Sequence, residues 1–143
     1  MNQSLNRLNG NLLLMTLFMK KEVISGEGVP QSTLPFSPAL KVNNLVFVSG
    51  QASVDESGKI VDDNFEGEVR RSFENARKIL AAAGLDFSHV VQVRNYVARQ
   101  EDLVEFNQIY EEYFQPPYPA RTTLIGCLGT LLKFEVDLIA YAE

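Results

Sequence analysis

The strand-like stretches of this chain are apolar on both of their faces. In "LVFVSGQ" (45–51) Val46 and Val48 alternate with Leu45 and Phe47; in "KFEVDLIAYA" (133–142) Phe134, Val136 and Leu138 oppose Ile139 and Tyr141. Side chains along a strand point to opposite faces in turn, so an apolar set on each parity requires a sheet covered on both sides. The remaining sequence supplies two helices. Phe65, Val69, Phe73, Ala76, Leu80 and Ala83 recur at helical spacing over 65–84, with Glu68, Arg71, Glu74 and Lys78 mostly elsewhere on the wheel and Gly84 at the stop. A second helix, about 102–114, has Asp102 placed as N-cap and ends before Pro116-Pro117.

Strands are read at 20–25, from Ala39 onward with a turn at Asn43-Asn44, at 45–51 and at 89–98. Two more, "RTTLIGCL" (121–128) and "KFEVDLIAYA", are joined by a turn at Gly129-Thr130. The order β-β-β-α-β-α-β-β predicts an α+β domain, a mixed six-stranded sheet with two helices on one face. Two helices cover one face only, so the other is expected to be buried in a homo-oligomer.

The 143 residues fit one domain. A net charge of −5 argues against a surface built to grip phosphate backbones, so no nucleic-acid partner is expected. The single cysteine, Cys127, permits no intrachain disulfide and reads as a buried small apolar residue in a reducing compartment. His89 is the only histidine and reads as a cap or packing residue; no Cys/His cluster has metal-ligand spacing, and no metal or cofactor is expected. The apolar run Leu12 to Phe18 is too short to span a bilayer and lacks a cleavage signal. Residues 1–18 are taken as an extension, or as lying upstream of a start at Met19, before a domain of residues 19–143. A cytoplasmic protein with no membrane partner is expected.

The residues suited to chemistry are few. Arg121 opens a strand after the rigid Pro116-Pro117-Tyr118-Pro119 segment. A guanidinium keeps its charge, so it either holds a small carboxylate bidentately or forms an ion pair with Glu135 or Asp137. Glu135, amid apolar strand residues, is either paired or raised in pKa and able to serve as an acid or base for water. Asn107 lies on the second helix, as a solvated or interhelical polar residue or a ligand contact. Ser49-Gly50 ends a strand, as a tight bend or where a ligand approaches the backbone. Phe36 either lines a pocket or seals the core.

"LPFSPALKVNNLVFVSGQ", "GLDFSHVVQVRNYV", "FNQIYEEYF", "YPAR" and "KFEVDLIA", in this order, resemble the RidA/YjgF family of enamine/imine deaminases. The resemblance runs from about residue 20 to the C-terminus. It implies a chorismate-mutase-like fold and homotrimers whose sheets form a central barrel, with sites in clefts between subunits. It also implies cofactor-independent hydrolysis of reactive 2-imino acids, such as 2-iminobutanoate and 2-iminopropanoate, to 2-oxo acids and ammonia. On it, Arg121 binds the substrate carboxylate, Glu135 positions the attacking water, and Gly50 after Ser49 contacts substrate through its backbone. Asn107 lies near the site, and Thr123 stands where many relatives have cysteine. Phe36 replaces a common tyrosine, Thr122 replaces a small residue, and "GCLGTLL" (126–132) is one residue short of the usual pattern. Two other readings remain: a non-catalytic binder of small 2-oxo acids, and a ribonuclease or translation inhibitor.

Overall fold

The alternation of the apolar strands becomes a two-sided sheet in the computed structural model, which describes residues 20–143. The predicted extension of residues 1–18 lies outside the described residues. Six strands, β1 (Lys21–Val23), β2 (Ala39–Val42), β3 (Leu45–Ala52), β4 (Val90–Val97), β5 (Ala120–Ile125) and β6 (Phe134–Tyr141), form one sheet in the order β1-β2-β3-β6-β4-β5. Every pairing is antiparallel except β4 with β5, which makes the sheet mixed. The β2–β3 hairpin turns at Asn43, whose φ of 53° is one that asparagine tolerates.

Helices α1 (Phe65–Ala82) and α2 (Leu103–Tyr113) lie on one face. Asn64 caps α1, its side chain accepting from Gly67 N at 2.8 Å. Beyond the other end Gly84 adopts φ 74°, and the N–H groups of Leu85 and Gly84 reach back to Leu80 O and Ala81 O, closing a Schellman motif. The helix-side core joins Val46, Val48, Val93, Val136 and Leu138 of the sheet to Val69, Phe73, Ile79 and Leu80 of α1 and Phe106 and Ile109 of α2. Phe73 is its hub: it stacks on Tyr113 at 4.6 Å between ring centroids and meets Phe87 and Phe114 edge-on. Full burial of such a ring contributes roughly 1.5–3 kcal/mol.

The opposite parity forms the other face, where Leu45, Phe47 and Tyr141 stay exposed around a half-buried Ile139. No helix among the described residues is long and apolar enough to cross a membrane.

Four sequence expectations change. Asp102 precedes α2 but makes no capping bond; Arg99 holds both of its carboxylate oxygens, at 3.0 and 2.9 Å. Cys127 is exposed, in the loop after β5. Glu68, placed mostly off the apolar stripe, is fully buried and accepts from Lys133 N at 2.7 Å and Lys133 Nζ at 3.3 Å. The turn at Gly129 exists, but β5 and β6 are not neighbours, because β4 lies between them. His89 is a cap, as read: its Nδ1 lies 3.2 Å from the backbone N of Asp86.

Candidate active site

Arg121 is the second residue of β5 and pairs in register with Val93, whose side chain is in the helix-side core; the guanidinium therefore lies on the helix side. There α2 receives it. Nη1 donates to Asn107 Oδ1 at 2.9 Å, and the guanidinium carbon sits 4.8 Å from the Tyr110 ring centroid and 5.5 Å from that of Phe106. The three cradle residues share one face of the helix at i, i+1 and i+4. No ion pair involves Arg121 among the described residues. The alternative pairing with Glu135 or Asp137 is excluded by topology, and Asp137 instead accepts from Arg94 Nε at 2.8 Å and Tyr96 Oη at 2.7 Å. A cleft of about 310 Å³ opens beside the guanidinium, lined by Asn107, Tyr110, Glu111, Tyr118, Pro119 and Arg121. Burial pushes the Tyr110 phenol up to about 12, against the opposing pull of Arg121, so it stays neutral.

Glu135 lies on the other face. It pairs in register with Ala52 and Tyr96, between the buried side chains of Phe134 and Val136. Its half-buried carboxyl makes no hydrogen bond or ion pair among the described residues, and burial first, then the charge of Asp137, raises its pKa. Gly50 makes room for it: a Cβ there would run into Glu135 Oε1. The β3–β6 ladder breaks between Val48 and Gln51, leaving Ser49 and Gly50 without partners on β6. Ser49 Oγ, donating to Ser37 O at 2.6 Å, ties this bulge to the preceding loop. Phe36, at the end of that loop, is 48% exposed and lines the hollows on either side of Glu135.

The fold thus sorts the sequence candidates into two groups. Arg121, Asn107 and Thr123 lie on the helix side; Glu135, Gly50, Ser49 and Phe36 surround the other. One chain does not bring the two groups into one cleft. Asn95 and Tyr110 escaped the sequence reading. Asn95 pairs with Thr123 beneath the helices, and its amide, the Thr123 hydroxyl and the Tyr110 hydroxyl are buried without partners among the described residues. The signal for Asn95 was there: it sits between Val93 and Val97 on the buried parity of an apolar strand.

The chain is a two-helix α+β domain with a guanidinium cradled on one face of the sheet and a carboxyl, without a partner among the described residues, on the other. The family model described as Endoribonuclease L-PSP matches residues 27–142, and the chain belongs to this family, the RidA/YjgF family its motifs resemble. It is 40% identical over 124 residues to the Reactive Intermediate Deaminase A, chloroplastic, of Arabidopsis thaliana, covering 85% of this chain and 66% of the relative. The 2-iminobutanoate/2-iminopropanoate deaminase of Homo sapiens is 32% identical, with 84% of this chain and 89% of that protein covered. Among solved structures, yeast Mmf1 matches with a TM-score of 0.79 at 27% identity, covering 87% of this chain and 100% of that one. E. coli TdcF with bound serine matches with a TM-score of 0.76 at 27% identity, covering 85% of this chain and 99% of the other.

Proposed function

We propose that this chain is a deaminase that hydrolyses 2-imino acids and their enamine tautomers, 2-iminobutanoate and 2-iminopropanoate among them, to 2-oxo acids and ammonia. It works as a homotrimer with its sites between subunits and needs no cofactor. The observation that carries this reading is the presence of two charged groups without a counter-charge among the described residues: a guanidinium held by Asn107 and Tyr110, and a half-buried carboxyl, raised in pKa, seated over Gly50. The deaminase names of the Arabidopsis and human relatives agree with it, as does the serine in TdcF, a small molecule with an α-carboxylate.

The chemistry asks little. An iminium carbon is already electrophilic, so orientation and one placed water suffice. Arg121 holds the carboxylate of the substrate. The Glu135 carboxylate accepts a proton from water as its oxygen bonds to the iminium carbon, giving a carbinolamine. Glu135 then returns that proton to nitrogen, and the C–N bond breaks. Ammonia leaves as the hydroxyl proton passes to Glu135 and the carbonyl forms. A carboxyl whose pKa burial raises suits a group that must accept and donate in turn.

The carboxylate and the iminium carbon are directly bonded, so both protein groups must reach one small molecule. In one chain they lie on opposite faces of the sheet, and a second copy must supply the missing half. The edge strand β5, exposed along most of its length, and the apolar patch of Leu45, Phe47 and Tyr141 offer surfaces for that copy. On this reading the chain has a protective role, because such imines are reactive.

The test is a threonine dehydratase generating 2-iminobutanoate in the presence of semicarbazide. Wild type should suppress the semicarbazone, while Arg121→Ala and Glu135→Gln should not. Mixed and reassembled, the two inactive variants should regain activity, because some interfaces then join an intact arginine to an intact glutamate. Binding of 2-oxobutanoate without turnover would show instead a carboxylate-binding protein.

A further inference from the structure

Beside Glu135, on the side away from Asp137, lies a second hollow of about 300 Å³. Leu34, Phe36, Pro38, Val54, Ile60 and Leu132 form its apolar walls, and Glu135 is its one ionisable lining residue among those described. Gly50, Phe36 and Glu135 line this hollow and also the polar cleft next to it, so a molecule engaging the carboxyl has the apolar space within reach.

The hollow has fixed walls. Val54 and Ile60 are bridged across a loop whose turn is held by the Asp55 carboxylate, which accepts from Ser57 N, Ser57 Oγ and Lys59 N at 2.9, 2.7 and 3.0 Å. Gln31 N donates to Glu56 O at 3.2 Å, and Gly58, at φ 82°, packs so closely on Gln31 O that a side chain there would overlap it. Two stretches of chain are thereby clamped together around an apolar space. At its rim Leu34 and Ile60 remain 66% and 42% exposed, apolar surface left for something to cover.

Its size selects among occupants. The hollow equals about ten times the ~30 Å³ that a water molecule occupies in the liquid. A methyl or ethyl group leaves nearly all of it empty, whereas an isobutyl or benzyl group covers more of its apolar wall.

We propose that this hollow receives the substrate's side chain, and that the chain prefers 2-imino acids with branched or aromatic apolar side chains over the methyl and ethyl homologues. The inference rests on the deaminase reading and deepens it. It also constrains the supplier. Elimination of water yields enamines only from amino acids with a β-leaving group, such as serine and threonine. Imines of leucine or phenylalanine arise instead by two-electron oxidation of the amino acid, the reaction of a flavin-dependent oxidase.

Two readouts test it. Calorimetry with the product series 2-oxobutanoate, 4-methyl-2-oxopentanoate and phenylpyruvate requires no turnover. At about fourfold per buried methylene, the isobutyl compound should bind roughly 15-fold more tightly than the ethyl one. In the second, an L-amino acid oxidase with catalase generates the leucine and 2-aminobutyrate imines, and the ratio of their kcat/KM values is compared between wild type, Ile60→Trp and Leu34→Trp. Filling the hollow should lower the leucine-to-butyrate ratio at least tenfold. A flat affinity series, or a ratio unmoved by either tryptophan, overturns the proposal. Turnover of none of the imines overturns the deaminase reading instead, while the affinity series still decides the fate of the hollow.

Discussion

Replacing Gly50 with alanine should separate folding from catalysis. The backbone does not require glycine there, since Gly50 is absent from the positions with positive φ. The added Cβ would overlap Glu135 Oε1 and lie 3.1 Å from Glu135 Cδ and 3.6 Å from Cγ. Carbon atoms sit comfortably at about 3.5–4.0 Å, so the carboxyl carbon must retreat by roughly 0.5–1 Å, and the oxygen further. Nothing among the described residues ties the carboxyl down, so its rotation costs only about 0.5–1.5 kcal/mol. The smaller conformational freedom of alanine in the unfolded chain returns about 0.4–1 kcal/mol, leaving stability within about 1 kcal/mol of wild type. Activity has no such compensation: a displacement near 1 Å can cost on the order of 10²-fold in rate. The semicarbazide competition assay should therefore record a loss of that size, with unchanged urea midpoint and oligomeric mass. Turnover within threefold of wild type would refute the claim that the seat over Gly50 positions the carboxyl. A collapse in stability alongside the lost activity would assign Gly50 to the backbone instead.

Glu135→Gln should gain stability relative to wild type as pH rises. The folded protein favours the neutral carboxyl, so that contribution is fully present below the unfolded pKa and lost as pH rises through the raised folded value. Urea unfolding at pH 4.5 and pH 8 should show the larger advantage at pH 8, and the reverse order sinks the idea. Asn107→Ala removes the acceptor that fixes Arg121 Nη1 but leaves the aromatic cradle. It should weaken 2-oxobutanoate binding about tenfold by calorimetry, in keeping with a charge-assisted hydrogen bond, and unchanged affinity would detach Asn107 from the site. Asn95→Leu exchanges a buried amide, without a partner among the described residues, for an apolar group of similar size and should stabilise the fold by about 1–2 kcal/mol in urea titration. A loss of stability would mean that the amide is satisfied, for instance by a buried water.

Much of the fold was legible because it rests on local periodicity. The opposition of Val46 and Val48 to Leu45 and Phe47 marked a sheet apolar on both faces, without saying which one the helices cover, and the apolar stripe from Phe65 to Leu80 with Gly84 beyond it marked α1. What escaped depends on partners distant in sequence, or on competition for a nearby one. Glu68 could be buried because Lys133, 65 residues away, meets its carboxylate with both its backbone N–H and its ammonium. Asp102 has the position of an N-cap, but the Arg99 fork three residues earlier engages both oxygens. Cys127 has apolar neighbours in sequence, yet its segment is the loop that carries the chain past β4, where it meets solvent.

The same insertion of β4 explains why the site was only half legible. Strand parity tells which face a residue occupies within its own strand, and it correctly set Glu135 against Phe134 and Val136. Parity is silent on the relation between strands. Read as a turn-joined pair, β5 and β6 place Arg121 within reach of Glu135 or Asp137, and an internal ion pair becomes plausible. With β4 between them, parallel to β5 and antiparallel to β6, Val93 and Arg121 share the helix side while Tyr96 and Glu135 share the other. An internal pair would have satisfied both groups and closed the site. Their separation leaves a permanent cation at an open edge and a carboxyl whose ionisation is disfavoured, each lacking, among the described residues, the counter-charge the other could supply. On the proposed reading this is what makes assembly a condition of activity. Neither half-site can both hold a carboxylate and activate water until a second copy covers β5, so activity should fall with dissociation even when every chain remains folded.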